Sequence, residues 1–182
     1  MASSVVYLIS ILSLIFIVQE SSVLVSGDDE LIHSTCQKTR SPELCEVSLI
    51  YNPASKEADV KGITKIITTA GENSASDTAK FILKYIVGFY TDPDAVEVVT
   101  GCIKSYDNAK TALDISIEDL SSDHLANALK GLEIGASYAD DCKNSFSSAS
   151  PPLEYPDVLR QKQRYFQDLC GVSSDIIQVL RS

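Results

Sequence analysis

PDAVEVVTGCIKSYDNAKTALDISIEDL, residues 93–120, is the stretch whose reading decides the fold. Its apolar positions Val96, Val99, Cys102, Ile103, Tyr106, Ala109, Leu113, Ile117 and Leu120 recur at spacings of three and four, the period of a helix that buries one face. Just ahead of it, Thr91-Asp92-Pro93-Asp94 offers Asp92 as N-cap, with Pro93 at the first helical position, where its missing N–H costs nothing. The same period runs on either side. Residues 58–90 align Ile63, Ile66, Ile67, Ala70, Ser74, Thr78, Phe81, Ile82, Tyr85, Ile86 and Phe89 on one stripe. Residues 122–147 align Leu125, Ala128, Leu129, Leu132, Ala136, Ala139, Cys142 and Phe146. The tail supplies Leu159, Phe166, Leu169, Cys170, Ile176, Ile177 and Leu180. Ser121, Ser122 and Asp123 are expected to cap the third helix, and Pro156-Asp157 to open the last. Gly71 lies inside the first stripe, costs about 1 kcal/mol relative to Ala and predicts a kink or break there.

The prolines Pro42, Pro53, Pro93, Pro151, Pro152 and Pro156 fall at or between the ends of these stretches. Only a few residues separate the first three long helices. Short connections force neighbours antiparallel, so the fold class is all-α, an up-down-up-down four-helix bundle over residues 56–182. Ahead of it, residues 28–55 carry too few apolar positions for a core of their own. Ser41, Pro42 and Glu43 open a second short helix there, so this unit reads as a helical hairpin. Residues 28–182 together form one domain.

Residues 1–27 read as a secretory signal peptide. Val5 to Val18 is apolar apart from Ser10 and Ser13 and ends towards Val25-Ser26-Gly27, a hydrophobic core followed by small residues. The run is shorter than the ~20 residues that span a bilayer, which disfavours a membrane anchor. The remaining chain of about 155 residues suits one domain with a proper core. The net charge is −10, and Glu20 leaves with the signal. With a pI near 4.6, such a chain is repelled by nucleic acid and anionic membranes and suits a basic protein partner, or simply stays soluble.

Five cysteines in a secreted chain, Cys36, Cys45, Cys102, Cys142 and Cys170, imply two bridges and one free thiol. A Cys36–Cys45 bridge would clip the hairpin, closing a loop of about ten residues worth roughly 2–3 kcal/mol. Cys102 and Cys142 fall on core stripes of adjacent antiparallel helices, and their bridge would close about forty residues, worth ~4 kcal/mol. Cys170 also lies on a core stripe and reads as a buried free thiol. No two cysteines stand at zinc-ligand spacing and the only histidines are His33 and His124, so no metal or other cofactor is expected.

Catalytic constellations are missing as well. His124 follows Ser121, Ser122 and Asp123, but that grouping reads as a helix start rather than a nucleophile–base pair. His33 beside Ser34 reads likewise. The doublets Asp28-Asp29, Glu118-Asp119 and Asp140-Asp141 diverge by ~100° on a helix and do not converge on one glycosidic bond. Phosphate-loop, zincin and nucleophile-elbow motifs are absent from the sequence. The chain is therefore expected not to be an enzyme. Tyr85 and Tyr106 fall on core stripes, whereas Tyr90, Tyr138 and Tyr155 read as freer to contact a partner.

Several of these elements resemble the plant invertase and pectin methylesterase inhibitors, including the tree-pollen allergens of that family. They are Cys36-Gln-Lys-Thr-Arg-Ser-Pro-Glu-Leu-Cys45, Ala58-Asp-Val-Lys-Gly62, Cys102-Ile-Lys-Ser-Tyr106-Asp-Asn-Ala109 with Leu113, and Ala136 with Ala139-Asp-Asp-Cys142 and Phe146. The resemblance spans the mature chain. It implies a hairpin followed by a four-helix bundle, the same two cystine pairings, and a secreted inhibitor of the cell wall forming a 1:1 complex with its target enzyme. Some invertase inhibitors carry a Pro-Lys-Phe element before the last helix. Here that loop reads Ser150-Pro-Pro-Leu-Glu-Tyr-Pro156, which favours pectin methylesterase over acid invertase as the target. Individual contact residues do not carry over from the motifs. A non-inhibitory carrier or allergen-type protein is the expectation from another class, and a large apolar cavity between the helices would mark it.

Overall fold

A computed structural model describes the protein from Gly27 to Arg181; the signal segment expected over residues 1–27 lies, apart from Gly27, outside the described residues. Among the described residues six α-helices occur, in chain order: α1 (Gly27–Cys36), α2 (Pro42–Ile50), α3 (Val60–Phe81), α4 (Pro93–Ser121), α5 (Leu125–Ser148) and α6 (Asp157–Arg181). A 3-10 turn, Pro53–Glu57, links the hairpin to α3. The long helices pack as a square in which α3 meets α4 and α6, and α5 meets α4 and α6.

The expected start signals hold at α4 and fail at α5. The Asp92 carboxylate accepts the Ala95 backbone N–H at 3.0 Å, with Pro93 in the first turn. At α5 the N-cap is His124, without a side-chain cap bond. Ser121 closes α4, Ser122 is its C-cap, and Asp123 takes a positive φ of 59° and pairs with Lys61 at 2.8 Å. The acidic and hydroxyl residues expected to begin one helix thus finish the previous turn, because so short a connection leaves room for only one capping position.

α3 runs through Gly71 without a break. The glycine is there for clearance: a Cβ on it would stand 2.9 Å from Leu113 Cδ2 on the neighbouring helix. The irregularity comes later, as a π turn over Ile82–Ile86 and a 3-10 turn over Val87–Phe89. A π turn widens the helix by one residue and rotates the side chains beyond it. The expected stripe is therefore kept at Ile63, Ile67, Thr78, Ile82 and Ile86, but Phe89 is turned out to 81% exposure and Tyr85 to 50%.

Two apolar clusters hold the molecule. One lies at the waist of the bundle, around Tyr106, Leu113, Leu132, Phe146, Leu159 and Phe166. Tyr106 stands edge-on to Phe166 at 6.1 Å, and Phe146 edge-on to Tyr155 at 5.1 Å. The other joins the hairpin to the bundle: Cys36, Cys45 and Leu49 pack on Ile63 and Ile67 of α3 and on Leu169, Val172 and Ile176 of α6. Each cluster contains one disulfide, Cys102–Cys142 at the waist and Cys36–Cys45 in the hairpin. The hairpin therefore folds back on the bundle. Arg40 fixes it there, donating from its backbone N–H and guanidinium to the Asp175 carboxylate at 2.7–2.9 Å while its side chain crosses Gly171.

Candidate protein-binding surface

The groups first weighed for catalysis are dispersed. His33 pairs with Glu46 at 2.9 Å and His124 approaches Asp119 at 3.4 Å, both on the exposed surface. Neither histidine is joined to a serine or cysteine in a relay, and among the described residues no cluster of histidine, cysteine and carboxylates is arranged to hold a metal. Cys170 is free and buried, and burial pushes its thiol up to about 12, so it sits in the core as a small hydrophobe without thiolate character. Deep in the waist, the Tyr106 hydroxyl has no hydrogen-bond partner. Burial first, then the neighbouring Tyr155 phenol, pushes it far above the usual tyrosine range.

What the surface does present is a furrow between α4 and α5. These two helices approach closely because Gly131 faces the α4 backbone, where a Cβ would stand 3.1 Å from the Ala112 carbonyl oxygen. The buried Ser116 hydroxyl donates to the Ala128 carbonyl at 2.8 Å, and the Cys102–Cys142 bridge ties the same pair near its other end. Between these ties runs a groove of about 340 Å³, lined by Asn108, Ala112, Ile115, Lys130, Ile134 and Tyr138. Ile115 and Ile134 are 52% and 40% exposed. Large aliphatic side chains held open to water on a rigid helix pair suit a protein partner, which would bury them. The sequence signal for this face is simple: both isoleucines lie off the core stripes of their helices, where a solvated face would carry polar residues.

The tyrosine expectations divide. Tyr106 is buried as expected, and Tyr138 lines the furrow. Tyr155, read as free for a partner, is 7% exposed, turned in from the α5–α6 loop and packed against Phe146. Tyr85, read as core, is half-exposed and stacks with Phe81 at 5.2 Å, with the Lys84 ammonium 4.9 Å from its ring. Tyr155 is drawn inward because Pro156 ends the loop and α6 must bring Leu159 into the waist at once; Tyr85 is turned outward by the π turn.

Comparison with known proteins agrees with this architecture. The family model described as plant invertase/pectin methylesterase inhibitor matches residues 30–176. The chain is 28% identical to "Cell wall / vacuolar inhibitor of fructosidase 2" of Arabidopsis thaliana over 99% of both chains. It is 27% identical to "Pectinesterase inhibitor 28" of Oryza sativa subsp. japonica, over 84% of this chain and 70% of that protein. Among solved structures, a pectin methylesterase inhibitor from Arabidopsis, in mutant form A, shares the fold with a TM-score of 0.62 at 20% identity, over 79% of this chain and 92% of that one. With its paired helical units, its two cystines and a family match across nearly all of the described residues, the chain belongs to the plant invertase/pectin methylesterase inhibitor family.

Proposed function

We propose that this protein is an extracellular inhibitor that seats its α4–α5 face over the substrate cleft of a plant cell-wall carbohydrate enzyme and blocks access in a 1:1 complex. It does so without chemistry of its own. The observation that carries the reading is the exposed Ile115–Ile134 patch lining the furrow of a helix pair tied by the Cys102–Cys142 bridge. A preformed apolar surface loses little conformational entropy on docking, which is what a tight inhibitor requires. The carrier alternative lacks support, since Tyr106, Phe146, Phe166, Leu113, Leu132 and Leu159 fill the space between the helices. No helix among the described residues is long and apolar enough to cross a membrane, which fits a protein acting in the cell-wall space once its leader is removed.

Pectin methylesterase is the favoured target, because the α5–α6 loop, Ser150 to Pro156, has no Pro-Lys-Phe element. Acid invertase is the second reading, favoured by the similarity to the fructosidase inhibitor along its full length. Titrating the oxidised mature protein against both enzymes at mildly acidic pH decides between them: stoichiometric loss of one activity names the target. Ile115→Glu, at a half-exposed site, should weaken that inhibition about tenfold or more while leaving the melting temperature unchanged. Loss of neither activity from folded protein would overturn the inhibitor reading.

A further inference from the structure

A second concavity, of about 750 Å³, lies further along the same helix pair. On α4 it is lined by Ser105, Gly101, Val98 and Asp94, which extend at spacings of three and four the face that carries Asn108, Ala112 and Ile115, and on α5 by Ser145. Its centre at Gly101 is fourteen residues from Ile115, about 21 Å along the helix at the ordinary rise.

This end differs in chemistry. Its lining includes the apolar Val98 and Leu153, the bare backbone of Gly101, and the carboxylates Asp94 and Glu97. Glu154 is the next residue after Leu153 in the same loop. Burial first, and then the Glu154 charge, holds the Tyr90 phenol above its usual range. All three carboxylates are exposed, and among the described residues none has a basic partner; Arg160, in the next helix, is turned to Asp157. Asp92 is already engaged as the α4 cap.

The walls are fixed in advance. The Leu153 backbone N–H donates to the Phe146 carbonyl at 2.9 Å, Tyr155 and Tyr90 pack edge-on to the two sides of Phe146, and the Ser145 hydroxyl donates to the Cys142 carbonyl at 2.7 Å. An apolar lining with the unpaired carboxylates Asp94 and Glu97 on its α4 side, and Glu154 next to Leu153 in the loop, fits a side chain that is apolar along its stem and cationic at its tip. The methylenes of lysine or arginine would cover Val98 and Leu153, and the head would donate charge-assisted hydrogen bonds to the carboxylates. A chain of net charge −10 strengthens the local field that draws such a group in.

We propose that this cleft receives a lysine- or arginine-bearing loop of the target enzyme, as a second anchoring point on the same helix pair as the Ile115–Ile134 patch. The proposal rests on the inhibitor reading above, and its test separates the two. Amide resonances of the oxidised, isotope-labelled mature protein are followed during titration with the peptide Ac-Leu-Lys-Arg-Leu-NH2, and with Ac-Leu-Glu-Glu-Leu-NH2 as control. The basic peptide should shift Gly101, Ser145 and Leu153 at low salt. The acidic one should not, and the doubly neutralised protein, Asp94→Asn with Glu97→Gln, should lose the response. Absence of shifts at the cleft, or shifts that persist in the neutralised protein, would overturn the proposal. In parallel, the neutralised protein should inhibit the enzyme that wild type inhibits about three- to ten-fold less well, with a shallower salt dependence. Unchanged inhibition and an unchanged salt slope would likewise overturn it. If wild type inhibits neither enzyme while the basic peptide still docks, the inhibitor reading fails and the cleft's preference for a cationic segment stands.

Discussion

The waist of the bundle and the hairpin end are built from different materials. The waist is aromatic: Tyr106, Phe146, Tyr155 and Phe166 interlock edge to face, and a bridge with a sequence separation of 40 ties α4 to α5. The hairpin end is aliphatic: Leu49, Ile63, Ile67, Leu169, Val172 and Ile176 surround a bridge with a separation of only 9. Aromatic edges add directional contacts to area burial, and a long cystine loop restrains the unfolded chain more than a short one. The waist should therefore set global stability, and the hairpin should open as a smaller unit.

The sharpest way to break this contrast is to remove each bridge in turn. Replacing Cys102 and Cys142 by Ser together should cost about 4 kcal/mol, and replacing Cys36 and Cys45 between about 2 and 3. At about 2–4 °C per kcal/mol, calorimetry should show the waist variant melting several degrees below the hairpin variant. The reverse order would end the argument.

Next in size, Leu49→Ala should cost about 3 kcal/mol. Its signature is local: hydrogen exchange should accelerate in α1 and α2 while amides around Cys102 and Cys142 keep their protection. Uniform acceleration would mean that hairpin and bundle open as one.

A smaller effect tests the clamp on the hairpin. Burial pushes the Asp175 carboxyl up, but the side-chain and backbone hydrogen bonds from Arg40 outweigh it and hold it below its ordinary 3.8. A carboxyl depressed in the folded state contributes stability above its unfolded pKa and loses it as pH falls through the folded one. Asp175→Asn should therefore cost about 1 kcal/mol at pH 6, a figure discounted for the exposure of Arg40. The gap to wild type should close below about pH 4; a gap that widens on acidification would contradict the clamp. Smallest of all, Cys170 should resist a thiol reagent at pH 8 in the folded protein and react once denatured, since its thiol is buried and held near 12.

Much of the fold was legible because three of the four long helices carry an uninterrupted stripe: Val99, Cys102, Tyr106, Ala109 and Leu113 occupy the positions their spacing requires. Periodicity failed at a change of period, the π turn, and so misplaced Tyr85 and Phe89. Capping was misread before α5, where one short turn serves two helices. The α4–α5 furrow was not named from the sequence, which assigned no contact residues. Ile115 and Ile134 lie off the core stripes, a signal the periodicity reading passed over, and that Asp94 and Glu97 share an opening with Leu153, more than fifty residues away, depends on how the α5–α6 loop folds over Phe146. Likewise, nothing local in Arg40 points to Asp175, 135 positions on.

The two cystine rings have a topological consequence for a protein exposed to proteases. One ring encloses the turn that carries Lys38 and Arg40; the other encloses the α4–α5 turn and most of both helices. A cut after Arg40, or within residues 122–124, would leave the fragments covalently joined and packed, so a nicked chain keeps its shape. The joins from α3 to α4 and from α5 to α6 lie outside both rings. A single cut in either join frees a piece held only by packing: between Ser150 and Pro156 that piece is α6, which carries one wall of both apolar clusters.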